Sequence, residues 1–274
     1  MSDTYTLREA ADVLGVHYMT VYRYVRLGLL DASKAGTTWQ VTDVALERFR
    51  AGTGSGPVRR GDHAPWAERL EGRLVEGDGT GAWRVVEAAM ASGTDVRAVY
   101  LEMLAPSMVS IGERWAAGEF DISIEHQATV IVTRIIGRLG PRFSRRGRSC
   151  GGLVVGSPVG EYHGLPTAIL ADLMREQGWE VNDLGPNTPA SSFLHAARRM
   201  SDLRAVGISV TNPELVGPVG ECSELLKRDD PEVVVVVGGQ AFRDVEHARS
   251  LGADELAVSA DQLHELLMGR ADRT

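Results

Sequence analysis

Two hydrophobic periods divide the chain. From about Trp66 to Phe143 apolar residues recur at three- and four-residue spacing, the signature of helices with one buried face. The spacing predicts four of them, at about 64–75, 81–91, 94–117 and 122–143, enough for a four-helix bundle. Beyond Gly152 the pattern changes to short apolar runs separated by helical intervals. Strands are predicted at Leu153–Gly156, Glu180–Asp183, Val206–Ser209 and Val233–Val237, with a weaker one at Glu255–Val258. Helices are predicted at Thr167–Gln177, Pro189–Met200, Pro213–Lys227, Phe242–Leu251 and Ala260–Leu267. Five strands alternating with five helices make a doubly wound parallel five-stranded sheet, the α/β class. Such sheets take ligands at the carboxyl ends of their strands.

The first fifty residues carry a third pattern. Thr6 with Glu9 three residues on is a capping box for a helix at Leu7–Leu14. Gly15 allows a tight turn, a second helix is predicted at about His17–Leu27, and Gly28 ends it. Ala32–Val41 reads as a hairpin turning near Gly36, and a third helix covers Thr42–Arg50. Helix, turn, helix, hairpin, helix is a winged helix-turn-helix order. The phrase GVHYMTVYRYVRLGLL resembles the heads of excisionase-like and MerR-type proteins. The resemblance implies a double-stranded DNA operator as partner. The second helix would enter the major groove with His17, Tyr18, Thr20 and Arg23 toward base edges, and with Arg26 and the wing residue Lys34 on phosphates. The plainer alternative is that Val21 and Val25 pack inward while the tyrosines cover the edge of the core. One head contacts few base pairs, so specificity requires a dimer or larger self-assembly.

Between these patterns lie two junctions. AGTGSGPVRRGDHAP (51–65) is rich in Gly, Ser and Pro and reads as a flexible linker. SRRGRSCGG (144–152) is short and basic. The expected divisions are a head at 1–51, a linker at 52–63, the bundle at 64–146 and the α/β domain at 147–274.

Charge sharpens this division. The 274 residues sum to a net charge of −8, yet residues 1–60 hold 8 Lys+Arg against 6 Asp+Glu while residues 61–274 hold 21 against 31. A mildly basic head on an acidic body fits a small DNA reader attached to a domain with another task. A hydrophobic fraction of 43% with 24% charged residues excludes a mainly disordered chain. No apolar run reaches membrane-spanning length, and the N-terminus lacks the pattern of a signal peptide. Only Cys150 and Cys222 occur, which excludes a disulfide-stapled scaffold and a cysteine-rich zinc site. A cytoplasmic protein with no membrane partner is expected.

Chemistry-bearing residues gather at predicted strand ends. Gly160–Glu161–Tyr162–His163 follows the first strand and Leu184–Pro189 the second. Ser209–Val210–Thr211 closes the third, and Gly238–Gly239 the fourth. In the bundle, Trp115 is followed by Glu125 and His126 in a W-x9-E-H arrangement. Together with the E-x-H of Glu161 and His163, these motifs resemble the CarH-type cobalamin-dependent photoreceptors and transcriptional regulators, over nearly the whole chain. The resemblance implies a Rossmann-like cobalamin domain beneath a four-helix cap. It implies adenosylcobalamin as cofactor, with His163 as lower axial ligand of cobalt and Glu161 on the other ring nitrogen, fixing tautomer and basicity. Ser209, Thr211, Gly238 and Gly239 would line a slot for the displaced nucleotide tail. Trp115 and Glu125, with His126 near them, would stand over the upper ligand.

Three positions depart from the family's pattern. Pro166 replaces the Gly that ends the six-residue cobalamin motif. Thr211 stands where a Leu is usual, and Ala116 where a cobalt-capturing His follows the Trp. The leading expectation is a non-enzymatic, light-responsive, cobalamin-binding transcriptional regulator. In it, loss of the adenosyl group shifts a dimer or tetramer and its DNA binding. The alternatives are a hybrid photoreceptor that also takes a bilin such as biliverdin, a corrinoid methyl-transfer carrier, and a regulator that has lost its cofactor.

Overall fold

The computed structural model describes residues 4–14, 21, 24–25, 30–35, 38–50, 66–145 and 147–271. The chain separates into two compact units, Met1–Ala64 and Pro65–Thr274.

In the first unit β1 (Thr4–Thr6) runs directly into α1 (Leu7–Leu14). The Glu9 carboxylate accepts the Thr6 N–H at 2.8 Å, and the Glu9 N–H donates to the Thr6 hydroxyl at 3.3 Å, closing the capping box. A wing follows, β2 (Ser33–Ala35) antiparallel to β3 (Thr38–Thr42), and then α2 (Asp43–Arg50). β1 pairs with the other edge of β3, giving a three-stranded sheet that the sequence pattern does not announce. Three residues are too few to show alternation, and their partner lies far along the chain. Val21 and Val25 are helical and buried against Leu7, Ala10, Val41 and Leu46, the inward packing weighed above. Of the expected DNA contacts, His17, Tyr18, Thr20, Arg23 and Arg26 lie outside the described residues, as does the linker. Lys34 lies in β2 opposite Trp39.

The second unit begins with the bundle. α3 (Trp66–Val75) turns at Gly77 into α4 (Gly79–Ala91), where Asp78 caps by accepting the Gly81 N–H at 2.7 Å. α5 (Val96–Ala98) continues through a π-helical segment, Val99–Leu104, into α6 (Ala105–Ala116). A single regular helix was expected at 94–117. Pro106 lacks the N–H for a bond to the carbonyl four residues back and crowds that carbonyl, so the turn before it widens. α7 (Ile122–Leu139) is capped by Asp121, which accepts the Ser123 N–H at 2.8 Å. It ends in a 3-10 turn, Gly140–Phe143, rather than running helical to 143, because Pro141 cannot donate.

The α/β part runs β4 (Gly152–Gly156), α8 (Leu165–Glu176), β5 (Glu180–Asp183), α9 (Ala190–Arg199), β6 (Leu203–Ser209), α10 (Gly217–Asp229), β7 (Val235–Gly238), α11 (Val245–Ser250), β8 (Glu255–Leu256) and α12 (Ala260–Ala271). The strands are parallel in the order β5-β4-β6-β7-β8. This is the doubly wound, Rossmann-like sheet that the alternation predicts. Two expected helices change. The one at Pro213–Lys227 opens as a 3-10 turn (Pro213–Leu215) and restarts at Gly217, beside Pro218. The one at Phe242–Leu251 shortens to α11, whose start is fixed by Asp244 accepting the His247 N–H at 2.7 Å. β6 starts earlier than expected, β7 two residues later, and β8 is only two residues long.

One face of the sheet is covered by α9 and α10 over Val154, Val206, Ile208 and Val235. The other, with Leu173 and Met174 of α8 and Leu263 of α12, shares a single core with the bundle's Leu70, Val86, Leu104 and Ile135. The two parts expected to meet at 146/147 are thus one packed body. Polar links close the seam: Arg97 of the bundle reaches Glu176 at 2.8 Å and Asp261 at 2.6 Å in the α/β part. No helix among the described residues is long and apolar enough to cross a membrane.

Candidate functional site

The strand order reverses on either side of β4, since β5 lies to one side and β6 to the other. A crevice opens at the carboxyl ends of strands at such a switch point, and Glu161 stands there. Its side chain is 1% exposed. One carboxylate oxygen accepts the peptide N–H groups of Thr211 (2.7 Å) and Asn212 (3.0 Å), just past β6. The other accepts the His163 N–H at 3.1 Å and faces His163 Nδ1 at 2.5 Å. Burial pushes the Glu161 carboxyl up, but these donors, led by the Asn212 N–H and the His163 ring, outweigh it and hold the group below the usual carboxylate range.

The consequence for His163 is specific. A carboxylate on Nδ1 puts the ring proton there and leaves the lone pair on Nε2. Nε2 has no partner among the described residues, and the side chain is 53% exposed. The loop carrying it is braced from β5's end. Asn187, at φ +53°, accepts the Gly160 N–H at 2.9 Å and donates its own N–H to the Glu161 carbonyl at 2.8 Å. Gly160 takes φ +88°, the left-handed region that glycine enters freely. Val159 and Tyr162 flank the histidine at 50% and 74% exposure.

The other candidates fall as follows. Pro166 is exposed in the first turn of α8, where a missing N–H leaves nothing unpaired. Ser209 and Gly238 face one another across β6 and β7. Thr211 enters the site through its peptide N–H. The glycines answer to the fold itself. A Cβ on Gly239 would stand 2.2 Å from the Val210 carbonyl oxygen at φ +99°, and one on Gly238 would stand 2.9 Å from the Ala257 oxygen. The close approach at 238–239 is therefore by the chain's own carbonyls, and these two residues do not require a bound group to explain them. Gly239→Ala is expected to lower stability by about 2–3 kcal/mol through backbone strain, read by thermal unfolding. An unshifted transition would show that the β7 turn relaxes freely.

Trp115 (43% exposed) lies in the last turn of α6 and Glu125 in the first turn of α7, so the W-x9-E-H phrase spans one corner of the bundle. Arg114 fixes that corner, lying 3.8 Å over the Phe120 ring and pairing with Glu119 at 2.9 Å. Glu125 accepts the Thr129 hydroxyl at 2.8 Å, and His126 Nε2 lies 3.7 Å from its other oxygen. Ala116 offers no donor. Among the described residues no hydrogen bond or ion pair joins this corner to the His163 loop.

Two residues near the rim gain a role that their sequence position alone does not specify. Asn187 braces the loop; the sequence places its Gly-Pro-Asn-Thr-Pro turn at the rim, but not its bond to the His163 loop. Asp183, at the end of β5, has its carboxyl pushed up by burial while it accepts the Gly185 N–H at 2.9 Å. The predicted strand end at Asp183 holds, but its burial is not legible from the local pattern.

The arrangement supplies one fixed imidazole donor on an exposed loop. Among the described residues no three His, Cys, Asp or Glu side chains converge as a metal cage. A metal that brings most of its own ligands, as cobalt in a corrin does, fits a single axial donor of this kind.

Known proteins resemble this chain in three segments. Residues 151–263 match the B12 binding domain family, residues 66–139 match a second family with that description, and residues 4–53 match the helix-turn-helix domain family. The chain is 29% identical over 133 residues to dimethylamine corrinoid protein 1 of Methanosarcina mazei, covering 45% of this chain and 59% of that one. It is 24% identical over 187 residues to the trimethylamine corrinoid protein of Methanosarcina barkeri, covering 66% and 84%. The solved structure of the Methanosarcina barkeri monomethylamine corrinoid protein shares the fold, with a TM-score of 0.64 at 16% identity over 73% of this chain and 96% of that one. One segment of the chain thus matches a helix-turn-helix family and two successive segments match B12 binding domain families, and the latter two matches support cobalamin binding.

Proposed function

We propose that the chain is a cobalamin-dependent, light-responsive regulator of transcription rather than an enzyme. The observation that carries this is the Glu161–His163 pair at the switch point of a B12-binding fold, in a chain whose residues 4–53 match a helix-turn-helix family. His163 would hold cobalt through Nε2, with Glu161 fixing the tautomer. Adenosylcobalamin, when bound, supplies a cobalt–carbon bond that light cleaves. Trp115, Glu125 and His126 would line the opposite side of the cofactor, and Ala116 leaves that side without a ligand at its own position. A self-assembled dimer or tetramer would link several heads and bind duplex DNA with avidity that one head lacks.

The test is the absorption spectrum of protein mixed with adenosylcobalamin in the dark, desalted and then illuminated, followed by size and DNA-binding measurements in both states. Retained corrin colour, a spectral change in light and a change in size or DNA affinity are expected. Identical size and affinity in dark and light would remove light sensing and leave cobalamin sensing. Absence of retained colour would sink the cofactor assignment, and biliverdin would be tried next.

A corrinoid methyl-transfer carrier is the second reading, favoured by the amine corrinoid proteins among the relatives. The helix-turn-helix segment has no use in that role. Methyl transfer with a partner methyltransferase, and no DNA binding, would establish the carrier.

A further inference from the structure

The longest stretch without acid in the acidic body runs over residues 126–160. Between Glu125 and Glu161 there is no Asp or Glu, yet there are six arginines: Arg134, Arg138, Arg142, Arg145, Arg146 and Arg148. Elsewhere in residues 61–274 about one residue in six is acidic. Arg134 and Arg138 stand one turn apart on the outer face of α7, Arg142 follows in the 3-10 turn, and Arg145 and Arg148 continue past it. These five are exposed, and none has an acidic partner among the described residues. Arg138 lies 4.8 Å over the Trp83 ring, and Arg142 Nη1 rests 3.6 Å from Met90 Sδ. Such neighbours support the side chains without neutralising them. On the α/β part the comparably exposed Arg198 and Arg228 are neutralised, by Asp229 and Glu224, while Arg199 stands as a single arginine unpaired among the described residues rather than part of a row.

Helix-end electrostatics explain only part of this. Cations are favoured within the last turn of a helix, which covers Arg138 and Arg142. Arg134 lies further back, and Arg145 and Arg148 lie beyond the end. Like charges at i,i+4 also oppose helix formation, so the stripe is tolerated rather than selected by the fold.

We infer that this stripe binds the phosphate backbone of duplex DNA, as a second contact that adds to the head. The inference rests on the DNA-binding reading above. A body with 31 acids against 21 bases repels a duplex over most of its surface. The acid-free stripe is the face a polyanion can approach, and guanidinium groups suit phosphate oxygens.

The experiment uses the full chain with a random-sequence duplex, its affinity measured against salt concentration. Wild type is compared with Arg134→Gln/Arg138→Gln/Arg142→Gln and with a control of equal charge change, Arg198→Gln/Arg228→Gln/Arg249→Gln. The stripe variant should lose more than about tenfold in affinity near 0.15 M salt. Its plot of log K against log salt should be shallower by about 2–3. The control should keep the wild-type slope, and thermal unfolding should show both variants folded. A stripe variant with wild-type slope, or equal losses in both variants, overturns the proposal while leaving the head's DNA binding intact. A wild type that binds no duplex overturns the DNA-binding reading as well. If the stripe variant instead changes in size, the face belongs to an interface with a second copy and the proposal is wrong.

Discussion

Glu161→Ala should lower the unfolding free energy by about 3–5 kcal/mol, whereas Glu161→Gln should lower it by only about 2 kcal/mol and still abolish the cobalt ligation proposed for His163. The difference follows from what each oxygen does. Alanine removes the acceptor for the Thr211 and Asn212 N–H groups, and each buried donor left unpaired costs about 1–3 kcal/mol. Glutamine keeps an oxygen that can serve those two donors. Its NH2 then faces the His163 peptide N–H and the ring. Donor meets donor at the backbone, and Nδ1 is driven to accept. The ring proton moves to Nε2, and the lone pair needed for a metal is gone. His163→Ala gives the complementary result: less than about 1 kcal/mol lost, because the ring is half exposed, with ligation abolished.

Three measurements separate these outcomes. Denaturant unfolding ranks the stabilities. NMR of the imidazole nitrogens reports the tautomer without any cofactor. The spectrum of cobalamin-loaded protein reports ligation, expected in wild type alone. If Glu161→Gln retained both the Nδ1–H tautomer and the ligated spectrum, the assigned role of the carboxylate would be wrong. Acid should reproduce part of the alanine effect. The folded carboxyl lies below the range of the unfolded one. Its contribution is therefore complete above the ordinary glutamate value of about 4.3 and disappears as pH falls through the lower folded value.

How much of this was legible depends on range. His163 and Glu161 are two residues apart on a loop after a strong apolar run, so period and spacing place them together. The second half of the Glu161 clamp was not legible. Thr211 and Asn212 reach it only because β6 lies beside β4, a long-range pairing that no local pattern carries. The same limit hid β1, whose three residues gain their state from β3. Helix bodies were legible because buried faces repeat, as with Ala128, Ile131, Val132, Ile135 and Leu139 on α7. Their ends and irregularities were set by single residues: Pro106 for the π-helical segment, Pro141 for the 3-10 turn, Asp244 for the start of α11. Gly238 and Gly239 were legible as glycines with a reason, but the reason differs. They accommodate the chain's own carbonyls.

Asp172→Ala should destabilise the second unit by about 3 kcal/mol and Tyr100→Phe by about 1–2 kcal/mol, with the bundle and the sheet still unfolding together. Asp172 is 5% exposed on α8, and Tyr100 is fully buried in the π-helical segment. The Tyr100 hydroxyl donates to Asp172 at 2.7 Å, and Arg175 donates to the other carboxylate oxygen at 2.8 Å. Burial first, then the bond to Asp172, pushes the phenol far above its ordinary pKa, so it remains a donor wherever the protein is folded. Deleting the carboxylate strands two donors. The hydroxyl recovers part of its loss because the Ile136 carbonyl lies 3.3 Å away, and Arg175 keeps the Val181 carbonyl at 2.9 Å. Those fallbacks set the estimate below the sum for a buried ion pair. Deleting the hydroxyl leaves Asp172 its guanidinium, so the smaller effect is expected. The double variant should be less destabilised than the sum of the two, by about 1 kcal/mol. Three of the five tryptophans, Trp66, Trp83 and Trp115, lie in the bundle, with Trp179 in the α/β part and Trp39 in the first unit, so tryptophan fluorescence is weighted toward the bundle while circular dichroism reports on the whole. Because Leu104 and Ile135 share a core with Leu173 and Leu263, the two signals should shift as one transition in both variants. Separate transitions in Asp172→Ala would show that this carboxylate, rather than the shared apolar core, joins the bundle to the sheet.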